Sequence, residues 1–229
     1  MLENRWWKYF LGLWMTFVIL GIFLYAPPAE GLGQSVRIIF FHVPAAWIAT
    51  LAFLISAVAS IQYLRNQENR YDIWAFSSAQ IGIVFAIIAT ITGSIWAKKI
   101  WQSYWNWDPR ETSIFILLLI YAAYFALRSA VEVTEQKAKL AAVYSIIAFI
   151  TVPFFIFIIP RIYESLHPDP LINPEGKINM DGRMLKVFLS SLIGFTLLFF
   201  WMLRLKVEAR KIQFISEKKS STIKNKGKS

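Results

Sequence analysis

The chain contains no cysteine. Disulfides and thiolate metal sites are therefore excluded. Histidine is almost as scarce: His42 and His167 are the only two in 229 residues, so any imidazole chemistry rests on that pair. Acidic side chains are few, 14 Asp and Glu against 24 Lys and Arg. Charge is missing altogether from residues 73–96. No glycine-rich phosphate loop is visible, so any nucleotide use would belong to a partner. No internal repeat is detectable. No cleavable signal peptide is expected, because the first apolar run is too long and no small-residue cleavage site closes it.

What is present is apolar and aromatic. Apolar residues make up 57% of the chain and aromatics 17%, arranged in runs near twenty residues. That combination indicates an all-α polytopic membrane protein. Six transmembrane helices can be read, at 7–26, 44–64, 73–96, 109–127, 140–159 and 184–203. Pro27-Pro28 ends the first, and Pro44 is placed in the first turn of the second. Each run reaches roughly 25–35 Å at 1.5 Å per residue, enough to cross the hydrocarbon core. Residues 1–203 form the transmembrane domain. Residues 204–229 form a basic tail, with nine Lys/Arg against two Glu, expected to be disordered at its end. The net charge of +10 therefore points to membrane lipid and a cytoplasmic tail, not to nucleic acid. Six spans then put both termini in the cytoplasm, and loops 27–43, 97–108 and 160–183 outside.

One external loop is unusual. Between residues 96 and 110 stand Trp96, Trp101, Tyr104, Trp105 and Trp107, mixed with Lys98, Lys99, Asp108 and Arg110. Indoles gather where one end of the ring is apolar and the other wet. So many together suit a platform for a flat aromatic ligand. If residues 101–108 are helical, Trp101, Tyr104, Trp105 and Asp108 share a face, and Trp107 points elsewhere. Asp108-Pro109-Arg110-Glu111 reads as N-cap, Pro at N1 and Glu at N3, a capping box opening the fourth helix. Loop parity puts His42 and His167 on the same side as this segment. Arg37, Lys98, Lys99 and Arg110 could meet an anionic ligand there, or simply water and lipid headgroups.

The segment 96–112, with its pattern Trp101-x-x-x-Trp105-x-Trp107-Asp108-Pro109-Arg110-Glu111-Thr112, resembles the tryptophan-rich WWD signature of the haem-handling proteins of cytochrome c biogenesis. The context Arg37-Ile38-x-x-x-His42-Val43-Pro44-x-Ala46-Trp47, with a second histidine in the last external loop, is similar to the CcmC branch of that superfamily. The family usually has Gly after the first Trp, where this chain has Gln102. The resemblance implies haem b as a transported ligand, with His42 and His167 as axial iron ligands. It implies a platform of Trp96, Trp101, Tyr104, Trp105, Trp107 and Asp108, with Arg37, Lys98, Lys99 and Arg110 towards the propionates. Without cysteine the chain cannot attach haem covalently through Cys-x-x-Cys-His. The implied role is a non-enzymatic one: binding haem at the periplasmic face of the bacterial inner membrane and delivering it to the chaperone CcmE, beside CcmA, CcmB and CcmD. A haem-lyase component of the CcsA or CcmF type, and a transporter for another amphipathic anion, are the alternatives. A b-type electron carrier would want histidines inside its spans. Met180 is a conceivable substitute ligand.

Overall fold

The computed structural model describes residues 6–167 and 180–226. Among them there is no strand. Helix α1 (Trp6–Leu20) runs on as a π turn, Gly21–Tyr25, and a 3₁₀ turn, Gln34–Ile38, leads into α2 (Ile39–Asn66). Next come α3 (Asn69–Trp101), α4 (Pro109–Ala130) and α5 (Thr134–Pro153). A π turn, Phe154–Ile158, extends α5 into the short α6 (Ile159–Ile162), and α7 spans Gly182–Lys226. Six of these helical segments are long and apolar enough to cross a membrane. The chain is a polytopic helical membrane protein, as its composition predicts.

Several boundaries differ from those read in the sequence. The second helix starts at Ile39, five residues before Pro44, so the proline sits inside it. A proline there removes the amide that would bond to the carbonyl four residues back, that of Phe40. The buried Ser191 hydroxyl of α7 donates to that carbonyl instead, at 2.6 Å. His42 is accordingly helical, in the first turn of α2. The third helix continues past Trp96 to Trp101, so Lys98, Lys99 and Trp101 belong to it and not to the loop. The last helix is continuous through Lys226, into the stretch where composition suggests disorder.

Lipid offers apolar surface as good as any helix does, so helices associate in it through close packing and hydrogen bonds. The sequence supplies both. Ser78, Gly82, Ala86, Ala89 and Gly93 recur at helical spacing along α3. Ala45, Ala49, Ala52 and Ser56 do the same on α2. At the contact, a Cβ added to Gly82 would lie 2.5 Å from the Phe53 ring, so only glycine admits that ring. Phe53 in turn stacks on Tyr121 of α4, with centroids 3.5 Å apart. Ser78 donates to the Ala52 carbonyl at 2.7 Å, and Ser56 pairs with Ser145 of α5 at 3.0 Å. Phe199, Leu203 and Val207 of α7 complete this core. Towards the opposite end from the tryptophan segment, Arg128 of α4 makes a bidentate pair with Asp72 of α3, at 2.6 and 2.9 Å. The Arg128 guanidinium also lies 4.4 Å from the Phe76 ring centroid. Such geometry satisfies a buried guanidinium that would otherwise be costly.

Candidate functional site

Three segments distant in sequence meet at one end of the bundle: the first turn of α2, the α3–α4 connection, and residues 165–167. Asp108 joins the last two. It caps α4 by accepting from the Arg110 amide at 2.9 Å, with Pro109 at N1. It also accepts from the Leu166 amide at 2.8 Å and from the Ser165 hydroxyl at 3.1 and 3.0 Å on its two oxygens. The predicted capping box is therefore only half present. Glu111 does not return to the Asp108 amide; it accepts from Asn106 N at 2.7 Å. The reason is the connection itself, which is not helical after Trp101. Gln102 and Trp107 both take positive φ, 62° and 57°, and turn the chain so that Asn106 faces Glu111. Gln102 occupies the left-handed position that ends α3, where glycine would be unstrained.

The helical face expected for Trp101, Tyr104, Trp105 and Asp108 is thus absent, and the aromatic residues divide into groups. Trp96 and Trp101 are edge to face at 5.0 Å, and both pack on the His167 ring, at 5.6 and 4.9 Å. Trp105 and Trp107 contact each other and Phe115 of α4, leaving Trp107 67% exposed. Tyr104 is 61% exposed, and Lys98 lies 5.4 Å from its ring centroid. With Ile95, Lys99 and Gln102 these two line an open groove of about 410 Å³. Lys98 also donates to the Gln102 carbonyl at 2.9 Å, closing the end of α3. Arg37 is turned towards α1, donating to the Phe23 carbonyl at 3.1 Å. Met180 packs with Met184, Val187 and the ends of α1 and α2, away from these aromatics.

Both imidazoles turn Nδ1 towards a protein oxygen, but only that of His42 is hydrogen-bonded. His42 Nδ1 lies 3.0 Å from the Ala89 carbonyl and 3.2 Å from Thr92 Oγ1. A carbonyl only accepts, so Nδ1 carries the proton, and Nε2 keeps its lone pair for a ligand. His167 Nδ1 lies 3.3 Å from Asp108 Oδ1, close but without hydrogen-bond geometry. Its Nε2 is again the nitrogen turned from the carboxylate. Arg110 lies within electrostatic range of both rings, and the rings lie within range of each other.

Charges follow from this packing. Burial opposes ionisation of Asp108, but the Arg110 and Leu166 amides, the His167 ring and the Ser165 hydroxyl together hold its carboxyl below the usual range. Burial pushes the His167 imidazole down to about 4, the charges of Arg110 and His42 acting the same way against Asp108. At neutral pH the site therefore presents a neutral His167 beside a carboxylate. A neutral imidazole oriented by a carboxylate or carbonyl at its other nitrogen is the arrangement of histidine ligands to metals.

Of the residues singled out in the sequence, Trp96, Trp101 and Asp108 gather around His167. Sequence reasoning missed Ser165, Leu166, Ala89, Thr92 and Gly93. A lone glycine inside a helical pattern is a recognisable signal of close approach, so Gly93 could have been found. Backbone partners such as Leu166 N and Ala89 O leave no trace in sequence.

Comparison with known proteins bears on this geometry. A family model described as CcmC, Heme exporter protein C, matches residues 1–223. A Heme exporter protein C of Bradyrhizobium diazoefficiens is 35% identical over 188 residues, 80% of this chain and 71% of that one. One from Rhodobacter capsulatus is 29% identical over 200 residues, covering 86% and 83%. One from Escherichia coli K12 is 31% identical over 176 residues, covering 77% and 70%.

Proposed function

We propose, for a chain that belongs to the CcmC (heme exporter protein C) family, that it binds haem b as cargo and passes it on for cytochrome c maturation. The observation that carries this reading is that both imidazoles turn Nδ1 towards a protein oxygen, His42 in a hydrogen bond and His167 beside the Asp108 carboxylate. That leaves Nε2 of each ring for iron. His42 and His167 are the axial ligands. Trp96 and Trp101 pack against the His167 ring and would supply apolar aromatic surface to a porphyrin held there. Arg110, near both rings, supplies positive charge for a propionate. The burial that keeps His167 neutral also keeps it competent as a ligand in mildly acidic surroundings. Haem supplies the iron and the flat aromatic surface; the protein supplies orientation and charge.

The tryptophan end of the bundle faces the periplasm, and both termini lie in the cytoplasm, supported by the Lys/Arg-rich C-terminus and six-span parity. Haem leaves from that face to the chaperone CcmE, with CcmA, CcmB and CcmD as companions in an ABC-type complex. The protein acts as a binding and transfer component, not as an enzyme.

The test is the absorption spectrum of the detergent-purified protein. Wild type is expected to hold low-spin haem with two nitrogen ligands. A single His42→Gly or His167→Gly variant is expected to hold less, partly five-coordinate, and to recover with added imidazole. The double variant is expected to be nearly empty. A normal low-spin spectrum at normal haem content in the double variant would rule out the pair. Copurification of a CcmE-like chaperone separates this role from that of a lyase.

A further inference from the structure

We infer that Gly93 is a positioning residue for His42, setting the plane and reach of that imidazole. This rests on the reading of His42 as a haem ligand and adds a residue that neither the family signature nor the histidine contexts include.

Gly93 lies inside α3, eight residues before its end, where glycine is the least suitable helix residue after proline. It has an ordinary negative φ, so no turn requires it. What requires it is the ring of His42. A Cβ at position 93 would stand 3.0 Å from His42 Cε1, 3.5 Å from Nδ1 and 4.0 Å from Nε2. The imidazole thus lies against the bare backbone of α3 at this turn. One helical turn earlier, the Ala89 carbonyl serves as acceptor for the Gly93 amide, by the helix repeat, and for His42 Nδ1 at 3.0 Å. Thr92 Oγ1, 3.2 Å from Nδ1, shares that N–H with the Ala89 carbonyl, while its own hydroxyl proton goes to the Ile88 and Ala89 carbonyls as a forked bond. The Ala89 carbonyl and the Thr92 hydroxyl fix the proton on Nδ1, and the missing side chain at 93 fixes how closely the ring may lie. Together they determine where Nε2 points.

A methyl group at 93 cannot be accommodated by moving backbone, since the helix is packed against α2. The ring must give way by a few tenths of an ångström and tilt about the Nδ1 bond. An axial ligand tolerates such a tilt poorly, because the metal bond follows the nitrogen lone pair. Loss of a group that orients a ligating histidine ordinarily weakens the metal about 10- to 100-fold.

The experiment compares haem spectra and haem retention of full-length Gly93→Ala, Thr92→Val and Gly12→Ala proteins in detergent. Gly12→Ala is the control, because a Cβ there meets nothing within 4 Å. Gly93→Ala is expected to show a mixed low- and high-spin spectrum and retention reduced about 10-fold or more, with Gly12→Ala like wild type. Thr92→Val, which leaves the space untouched, is expected to show a smaller shift in the same direction. The deciding measurement places Gly93→Ala in a His42→Gly background refilled with imidazole. A free imidazole can shift to suit, so the alanine is expected to have no further effect there. A wild-type spectrum for Gly93→Ala would overturn the inference. So would an equal loss in the His42→Gly background, which would make the effect one of helix packing. If His42→Gly itself kept a normal low-spin spectrum, the ligand assignment would fall first, and that result is visible before Gly93 is considered.

Discussion

Asp108 and Leu166 stand 58 positions apart, and the Leu166 amide donates to Asp108 Oδ2 at 2.8 Å. With the Ser165 hydroxyl on the same carboxylate, this fastens the segment before His167 to the start of α4. One side chain therefore both opens a helix and sets the position of a histidine on another loop.

That double role changes what substitutions at Asp108 should do. A cap alone is worth about 1 kcal/mol, and Asn substitutes well for Asp as a cap. Here both oxygens accept, and Asn retains only one acceptor. Asp108→Asn is expected to cost about 1–2 kcal/mol, through loss of the Leu166 or Arg110 bond. Asp108→Ala is expected to cost about 2–4 kcal/mol, through loss of cap and anchor together. Thermal unfolding in detergent measures both. Wild-type stability in the Asn variant would reduce Asp108 to a simple cap.

The His167 ring gives the protein a distinct response to acid. Its folded value, about 4, lies below the ordinary 6.5. Between those pH values the unfolded chain binds a proton that the folded chain does not. Stability is therefore full above about pH 6.5 and falls as pH drops towards 4, by at most about 3 kcal/mol. Asp108, held below the usual carboxylate range, contributes a further loss only at lower pH. Melting temperatures at a series of pH values should show this slope in wild type and a flatter one in His167→Gln between pH 6.5 and 4. Identical slopes would place the acid sensitivity elsewhere.

Gln102 offers a gain of stability. Its φ of 62° is a left-handed conformation that costs a non-glycine residue about 1 kcal/mol. The Lys98 bond at this turn goes to the backbone carbonyl and survives any change of side chain. Gln102→Gly should raise stability by about 1 kcal/mol, read as a higher midpoint of thermal unfolding. A lower midpoint would mean that the glutamine side chain supports the turn.

Ser191 tests the account of Pro44. Removing its hydroxyl leaves the Phe40 carbonyl, freed by the proline, without its buried donor. Ser191→Ala should cost about 1–3 kcal/mol. Ser190→Ala next to it should be nearly neutral, since that hydroxyl bonds only within its own helix, to the Lys186 carbonyl. Equal effects at the two positions would remove Ser191 as the partner of the broken turn.

Class and architecture were legible in the sequence because they depend on composition and length. A run of twenty apolar residues has few alternatives to a membrane-spanning helix. The pairing of Asp108 with Pro109 announced the start of α4 because capping is local. The motif at residues 96–112 and the contexts of the two histidines led to the family, since rare residues at fixed offsets survive as a linear pattern. Tertiary structure decided the rest. Pro44 is tolerated inside α2, near its start, with Ser191, far along the chain, satisfying the carbonyl it frees. The tryptophans divide into two groups because positive φ at Gln102 and Trp107 bends a segment that spacing alone would make helical. Gly93 faces His42, and Leu166 faces Asp108, through backbone atoms that every residue carries. Contacts made by the main chain leave no residue-specific mark, so only the packed helices could bring them into view.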